Sequence, residues 1–347
     1  DQDILVLWVG RLSFYEKAFP QTMFRSLQLA SQKAKEKIYF VMAGWFPDLE
    51  SELPMYQESA RIHCPDVSVL FLDGRDQHLL QKCWTSADIF LSLVDNIQET
   101  FGLSPIEAMA SGIPVVASDW DGYNFTIRNG IDGFLISTII SSTVGIGEEL
   151  AARHSAGILT YQDYVGSVAQ HTAVDPYMAS EAIVMLANNK DLRKRMGRAG
   201  IENVKENFTW EVITKKYLNL FSELESLRAH QSSNNAHTLH PLSANPLQDF
   251  IPFATSHLTN ATSIKMGMDL ASVYEMMESF TTLDLKYQGC HALSEEMIEL
   301  FMQLEEKGCS KVEELLSHFR PDRHESIVMG ITWAAKLGII KWNSKEY

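Results

Sequence analysis

The sequence predicts an α/β fold with a doubly wound parallel sheet, followed by a small and mainly helical C-terminal domain. Two patterns predict it. Between residues 4 and 136, short apolar runs alternate with stretches of helical periodicity, which is typical of a parallel sheet and its crossover helices. After residue 264, helical periodicity dominates until a final Gly-Ile-Ile strand. The length of 347 residues leaves room for two domains.

The strands of the sheet are predicted at residues 4–9, 37–45, 67–72, 87–94, 114–118 and 133–136. The connecting helices are predicted at residues 16–34, 48–63, 76–86 and 104–111, with one further helical turn at 122–128. Ligands on such a sheet bind beyond the carboxyl ends of its strands. The residues at these ends are therefore expected to lie along one rim of the sheet. They are Gly10, Gly44, Gly74, Glu99 and Asp119.

The first domain is predicted to end at residue 228. Residues 137–176 have weaker periodicity and are predicted to form an insertion across it. Helices are predicted at residues 176–190, 191–207 and 208–228, and Trp210 at the start of the last one is expected in the core. Residues 229–263 are polar, contain three prolines and are predicted to be a linker. Residues 264–347 form the C-terminal domain, for which a winged-helix-like module is one interpretation.

Composition argues against two classes of partner. The formal net charge of −15 is unfavourable for nucleic acid or an anionic membrane, although a local basic pocket for a nucleotide remains open. The four cysteines have neither paired nor metal-like spacing, which indicates free thiols in a reducing compartment: Cys64, Cys83, Cys290 and Cys309. No apolar run approaches the roughly 20 residues of a membrane span, and no signal peptide opens the chain, so we expect a cytoplasmic protein.

The central motif runs from Gln98 to Gly112 and reads Gln-Glu-Thr-Phe-Gly-Leu-Ser-Pro-Ile-Glu-Ala-Met-Ala-Ser-Gly. It follows a buried strand, so it consists of a strand end, a loop and the start of a helix. Free backbone N–H groups and the positive end of the helix dipole can hold an anion such as a diphosphate. Glu99 and Glu107 flank that site, and ionised carboxylates accept hydrogen bonds from sugar hydroxyls. Taken alone, two glutamates at this spacing are more often solvated charges.

Three blocks of sequence resemble one family. The block from Glu99 to Glu107 is similar to the donor-site signature of the retaining GT-B glycosyltransferases, family four in particular. Val9-Gly10-Arg11-Leu12, with Glu16-Lys17 after it, resembles the Gly-Arg-Leu and Glu-Lys segment of that family. Residues 118–123 and 129–135 resemble its next strand and loop. The resemblance covers residues 3–228 and implies the C-terminal, donor-binding domain of such an enzyme, the Rossmann-like half of a GT-B fold.

The resemblance implies that the donor is a nucleoside-diphosphate sugar. Arg11 and Lys17 would hold its diphosphate and neutralise the leaving group, and Glu99 would bind hydroxyls of the transferred sugar. These three residues are the candidate catalytic residues. In the chemistry that the resemblance implies, Arg11, Lys17 and the helix N-terminus act in place of a bound metal, so no metal and no other cofactor is expected.

The remaining binding residues are also implied by the resemblance. Glu107 would bind the ribose hydroxyls. The base would lie near the end of the third strand, at Leu72 and Asp73, although a turn before Gly74 is a slightly better interpretation of Asp73. The residues whose backbone would contact the sugar and the diphosphate are Phe101, Gly102 and Leu103.

A GT-B enzyme also has an N-terminal domain for the acceptor, and this sequence starts where the donor domain should start. It also begins without Met, so we expect a fragment that binds the donor but transfers nothing by itself. A protein partner or self-association is expected through residues 264–347.

Other interpretations remain open. The chain is alternatively a scaffold or binding module with a vestigial site, and a sugar-nucleotide epimerase would share the fold. A nicotinamide-dependent oxidoreductase needs Gly-x-Gly-x-x-Gly after the first strand, which the sequence does not supply. His154 and His171 have no partners at metal-ligand spacing and are expected to be structural.

Overall fold

The computed structural model describes residues 3–14, 16–141, 145–230, 245–285 and 294–343. At its centre lies the parallel sheet that the sequence predicts. Its strands are β1 (Ile4–Arg11), β2 (Ile38–Trp45), β3 (Ser68–Asp73), β4 (Ile89–Ser92), β5 (Val115–Ser118) and β6 (Gly133–Ile136). They lie in the order β3-β2-β1-β4-β5-β6. This order makes the gap between β1 and β4 the topological switch point of a doubly wound sheet.

The crossover helices are α1 (Pro20–Ser31), α2 (Leu49–His63), α3 (Gln77–Ser86), α4 (Leu103–Ala110) and α5 (Tyr123–Thr126). The side chains of Asp48 and Asp76 cap α2 and α3, which therefore begin where the sequence predicts. Helix α1 begins four residues later than the predicted residue 16. The reason is Pro20, because the residue before a proline disfavours the helical conformation while proline itself suits the first turn. The residues before Pro20 instead form a loop beside the switch point.

The insertion follows β6 and contributes two strands to a separate three-stranded sheet. It contains β7 (Thr138–Ser141), α6 (Ile146–Ser155), α7 (Tyr161–Ala169) and β8 (Thr172–Val174). Three helices follow at the predicted places: α8 (Pro176–Asn188), α9 (Lys190–Asn207) and α10 (Trp210–His230). Helix α8 packs on α1 and on the central strands, with Ala179, Ile183 and Leu186 in the main apolar core.

The linker prediction is wrong for residues 245–263. These residues form α11 (Pro246–Asp249), a 3₁₀ turn (Ile251–Phe253) and β9 (Ser256–Leu258), and β9 pairs with β7. Pro246 and Pro252 each stand at the start of a helical turn, where the missing N–H costs nothing. The prolines at these two positions therefore mark the starts of helical turns and do not indicate a linker. Residues 231–244 of the predicted linker lie outside the described part of the chain.

The C-terminal domain is mainly helical, as predicted. It consists of β10 (Ser263–Met266), α12 (Leu270–Glu278), α13 (Thr282–Leu285), α14 (Glu295–Lys307), β11 (Ser310–Lys311), α15 (Val312–Leu316), α16 (His324–Lys336) and β12 (Ile340–Trp342). The strands form a small antiparallel sheet with β10 in the middle. The winged-helix interpretation stays a prediction. The apolar core of this domain includes Leu300, Phe301 and Ile331, and also Phe19 from the loop before α1.

Buried polar contacts join the C-terminal domain to the α/β domain. The Asp284 carboxylate lies 2.7 Å from Nε2 of His63 and accepts a hydrogen bond from Gln21 at 3.1 Å. Burial alone would raise the pKa of Asp284, but its hydrogen bonds to His63 and Thr281 lower it. The Tyr177 hydroxyl lies 2.6 Å from the carbonyl oxygen of Gly267. The two domains therefore share a packed interface.

Trp210 does not lie in the core, contrary to expectation. Its side chain is 84% exposed, and α10 has no buried residue among those that the structure describes. The helix leaves the domain after Phe208, and most of its large apolar side chains are exposed. None of the described helices has both the length and the apolar character that a membrane span requires.

We expect Asp284→Ala to lower the free energy of unfolding by about 3 to 5 kcal/mol, because it leaves a buried imidazole and a buried amide without their acceptor. Urea unfolding at neutral pH measures this loss. The control is Asp322→Ala, which breaks an exposed ion pair with Arg320 and is expected to change stability by less than about 0.5 kcal/mol. Equal effects of the two substitutions would contradict the buried interface.

Candidate functional site

The candidate site lies at the switch point, where the loops after β1 and β4 leave the sheet side by side. Neighbouring strand ends approach closely here. A Cβ atom on Gly44 would lie 2.0 Å from the carbonyl oxygen of Gly10, so only glycine fits at the end of β2. A Cβ on Gly10 would lie 3.3 Å from Cε of Lys17, which places the Lys17 side chain across the end of β1.

Lys17 and Glu99 meet across the switch point. The Lys17 ammonium forms an ion pair with the Glu99 carboxylate, and their side chains are 22% and 11% exposed. These residues are 82 positions apart in the chain, and the order of the strands brings them together. The structure thus joins two of the three predicted catalytic residues.

Arg11, the third predicted catalytic residue, lies at the end of β1. Its guanidinium is 2.7 Å from the carboxylate of Glu16, a residue that is only 7% exposed. The guanidinium also lies over the ring of Trp45, 5.9 Å from its centroid. Each predicted cation is therefore paired with a carboxylate of the same rim.

The motif loop enters α4 through Gly102. Gly102 has a φ of +73°, and a Cβ atom there would lie 2.1 Å from the buried ring of Tyr123. Both facts require glycine, because other residues rarely adopt this conformation and none would fit. The first backbone N–H groups of α4, from Leu103 on, lack acceptors within the helix and point toward the loop. Phe101 and Leu103 are 42% and 67% exposed, so both ends of this turn face solvent.

Asp121 is a site residue that the sequence prediction missed. It is 6% exposed, and its Oδ2 atom has no hydrogen-bond partner among the described residues. Burial and the charge of Glu99 raise its pKa to about 6. Its φ of +47° is unusual for a residue other than glycine. The sequence feature that could have indicated this residue is the Asp-Gly pair after the predicted fifth strand.

Glu107 lies on the exposed face of α4, one turn from its start. Partial burial raises the pKa of its carboxyl. Leu72 and Asp73 lie at the end of β3, two strands away from β1, which is about 10 Å across a sheet. They line a cavity of about 120 Å³ together with Gly44, Trp45 and Phe46.

Asp73 adopts the turn role that the sequence slightly favoured. Its Oδ1 atom accepts a hydrogen bond from the backbone N–H of Arg75 at 3.0 Å, and its carboxylate pairs with the Arg75 guanidinium. This exposed bidentate pair lowers the pKa of Asp73 to about 2. The side chain of Asp73 is thus occupied by a local interaction with Arg75.

The two histidines make different contacts. His154 stacks on the ring of Tyr164 with centroids 4.7 Å apart, and His171 is buried beside Ser141. Burial and the charge of Lys336 lower the pKa of His171 to about 4. Among the described residues, no group of three or more histidines, cysteines or acidic residues has the arrangement of a metal site.

We expect Asp121→Asn to stabilise the protein at pH 7.5 by roughly 1 to 3 kcal/mol and to have little effect at pH 4. The folded-state pKa near 6 exceeds the ordinary value of 3.8. The stability due to this carboxyl is therefore complete below about pH 4 and is lost as the pH rises through 6. Urea unfolding at both pH values measures the difference.

The matched control is Glu58→Gln, an exposed carboxyl of α2, which is expected to show no such pH dependence. An Asp121→Asn effect of equal size at the two pH values would contradict the raised pKa.

The comparisons with known proteins concern the region that contains this site. Residues 1–143 match the family model described as "Glycosyl transferases group 1". Over 228 residues the chain is 24% identical to D-inositol 3-phosphate glycosyltransferase of Corynebacterium diphtheriae, an alignment that covers 65% of this chain and 44% of that protein. Over 136 residues it is 29% identical to an uncharacterized glycosyltransferase of Methanocaldococcus jannaschii, covering 39% of this chain and 32% of that protein.

One of the similar solved structures is sucrose-phosphate synthase from Thermosynechococcus elongatus. It is 21% identical, has a TM-score of 0.44, and the match covers 65% of this chain and 46% of that chain. The chain thus spans less than half of the length of these relatives. The family model supports a glycosyltransferase group 1 domain over residues 1–143, which contain β1 to β6 and every predicted site residue.

Proposed function

We propose that this chain is the donor-binding domain of a retaining GT-B glycosyltransferase of family four. It binds a nucleoside-diphosphate sugar, whose sugar is transferred to an acceptor hydroxyl. The observation that carries this proposal is the meeting of Lys17 and Glu99 beside the start of α4. A cation, a carboxylate and a helix N-terminus then face one crevice, and a sugar diphosphate needs these three kinds of group. The family match over residues 1–143 supports the same conclusion.

The diphosphate lies between Lys17 and the N-terminus of α4. As the bond between the anomeric carbon and the diphosphate oxygen breaks, negative charge grows on the leaving group. Lys17, Arg11 and the first N–H groups of α4 neutralise it, and the proposal includes no metal and no other cofactor. Groups that are already oriented before the reaction stabilise such charge by several kcal/mol. Arg11 and Lys17 exchange part of their present pairing with Glu16 and Glu99 for phosphate oxygens.

The hydroxyl groups of the donor bind to carboxylates. Glu99, with Asp121 next to it, accepts hydrogen bonds from the transferred sugar, and Glu107 accepts them from the ribose. The base occupies the cavity at the end of β3, beside Leu72 and Asp73. The backbone of Phe101, Gly102 and Leu103 contacts the sugar and the diphosphate.

The proposal includes an N-terminal acceptor domain that covers the crevice. Helix α10 exposes a row of large apolar side chains, and such patches commonly mark interfaces. Together with the motif loop it forms a groove of about 460 Å³ that borders the donor crevice. The groove is lined by Phe101, Leu103, Trp210, Tyr217 and Leu220 among others. A domain seated there would exclude water from the donor site, and the relatives are more than twice as long as their matched part.

The second candidate is a scaffold or binding module with a vestigial site. The observation that favours it is the pairing of both cations, because Arg11 and Lys17 are already neutralised by Glu16 and Glu99. A module of this kind would fold normally and bind no nucleotide.

A cytoplasmic location is also part of the proposal. The described cysteines Cys64, Cys83 and Cys309 are free thiols, which is typical of reducing compartments. The net charge of −15 makes nucleic acid an unfavourable partner. Any partner of residues 264–347 is then a protein or a second copy of the chain.

We expect the purified chain to bind one of UDP, GDP, ADP or their sugar conjugates selectively in calorimetric titrations. Glu107→Gln and Lys17→Met are each expected to weaken this binding about tenfold or more, since each removes a direct contact to the donor. The matched control is Glu58→Gln on the exposed face of α2. A folded chain that binds no nucleotide would favour the scaffold.

We expect the chain alone to transfer no sugar to an acceptor alcohol, because half of the cleft that orients the acceptor is contributed by another domain. Release of nucleoside diphosphate from the bound donor measures transfer and hydrolysis together. Glu99→Gln serves as the control for contaminating enzyme, since contaminating turnover would persist in it. Turnover by the chain that requires the acceptor alcohol and disappears in Glu99→Gln would contradict the need for a second domain.

A further inference from the structure

Lys336 is a fully buried lysine at the end of α16, in the C-terminal domain. Its ammonium pairs with the carboxylate of Asp95 and donates hydrogen bonds to the carbonyl oxygens of Ala169 and Thr172, at 3.0 and 2.8 Å. It also lies 5.3 Å from the centroid of the Phe19 ring. All three N–H groups of the ammonium thus have acceptors, and the acceptors all belong to the α/β domain and its insertion.

Lys336 contacts both loops of the donor site. Asp95 follows β4, four residues before Glu99, and is 2% exposed. Phe19, two residues after Lys17, contacts the same ammonium through its ring. One buried ammonium therefore joins the loop that carries Lys17 to the loop that carries Glu99.

The chain between Asp95 and Glu99 is held by further hydrogen bonds. The Asn96 side chain accepts one from the N–H of Gln98 at 2.9 Å, and the Asn96 carbonyl oxygen accepts one from the N–H of Glu99 at 3.2 Å. The indole N–H of Trp120 donates to the same carbonyl oxygen at 3.1 Å. A displacement of Asp95 is therefore transmitted to Glu99.

The Asp95 carboxylate depends on Lys336 for its charge. Burial raises the pKa of Asp95 and lowers that of Lys336, and their mutual attraction opposes both shifts. His171 is an ionisable neighbour of Lys336, and burial keeps it neutral. Without Lys336 the Asp95 carboxylate would be a buried charge without this counter-ion, which is strongly unfavourable. It would then take up a proton or move toward water, and the Phe19 ring would lose its contact with the ammonium.

We propose that Lys336 is a positioning residue of the donor site, through which the C-terminal domain holds the Lys17 and Glu99 loops in register by its contacts with Phe19 and Asp95. The inference rests on the proposed function for the identity of the ligand. It assigns the C-terminal domain a part in donor binding. Its acceptors and its distance from solvent distinguish Lys336 from the other lysines of the domain, such as Lys311, which pairs with Glu313 at the surface.

The first test needs no ligand and measures amide hydrogen exchange in the full chain. Lys336→Met is expected to speed exchange at the hydrogen-bonded N–H groups of Lys17 and Glu99 at least tenfold more than at core amides such as that of Val6. Tyr177→Phe is the matched control, because it removes another contact between the domains that touches neither loop. Lys311→Met controls for the loss of a positive charge. Equal acceleration at loop and core amides would overturn the proposal.

The second test is calorimetric titration with the nucleotide sugar that the wild-type chain binds. Lys336→Met is expected to weaken the binding constant at least tenfold with unchanged stoichiometry. Binding of the corresponding nucleoside monophosphate should change less than twofold, because Glu107 and the end of β3 would hold it. Partial unfolding would instead lower the stoichiometry for both ligands. An unchanged binding constant for the nucleotide sugar would overturn the role of Lys336 in donor binding.

The double variant Asp95→Asn with Lys336→Met tests the route and guards against a single variant that fails to fold. It buries no unpaired charge, and the introduced methionine can still pack against the Phe19 ring. We expect it to recover most of the lost affinity and slow exchange, and a double variant no better than Lys336→Met would overturn the proposal. If the wild-type chain binds no nucleotide, the proposed function fails on that result, while the exchange rates still decide whether Lys336 fixes the two loops.

Discussion

The reversal of strand order between β1 and β4 is the constraint on which the site depends. Right-handed crossovers send the chain to opposite faces of the sheet after these two strands, so their loops diverge and leave a crevice. Lys17 and Glu99 stand on opposite sides of that crevice and close it with an ion pair. The late start of α1 at Pro20 matters here, because it leaves residues 16–19 free to follow the rim.

The rim holds more negative than positive side chains. Glu16, Glu99 and Asp121 surround two cations, and the pKa of Asp121 is raised by its burial and by Glu99. Asp121 also has left-handed backbone geometry, so this position combines electrostatic and conformational strain. Strain of both kinds is commonly stored at functional sites, where a ligand can relieve it. A donor with many hydroxyl groups and a charged diphosphate could use both the carboxylates and the cations.

The C-terminal domain is integrated with the α/β domain. Phe19 of the α/β domain, next to the site, packs in the apolar core of the C-terminal domain. Conversely, Asp284 of the C-terminal domain contacts His63 and Gln21 of the α/β domain. The side chain of Lys336 also extends into the α/β domain and pairs with the carboxylate of Asp95. The contacts of Asp284 and Lys336 are costly to form in isolation, because each buries a polar, ionisable group. They are favourable only when every partner is in place, which couples the docking of the domain to the shape of the loops.

Much of the α/β domain was accessible from the sequence. Apolar runs bounded by Gly, Asp and Pro gave the six strands and most helices, and the caps Asp48, Asp76 and Asp175 fixed helix starts to within one residue. The motif from Gln98 to Gly112 was placed at a strand end and a helix start, because those features are local in the chain. The helix after β1 begins later than predicted, because Pro20 belongs to its first turn and not to its interior. Residues 245–263 form helical turns and a strand where a linker is predicted, because their prolines begin turns.

What the sequence by itself determined was therefore local: the elements, the edge of the sheet where they end, and the residue types gathered there. Tertiary structure alone decided that Lys17 meets Glu99, that Asp121 is buried beside them, and that Lys336 lies against Asp95 from 241 residues away. Trp210 shows the same limit, since a large apolar residue is buried only if a surface is there to cover it. Pairing and burial depend on which distant segments pack together, and neither periodicity nor local spacing encodes that information.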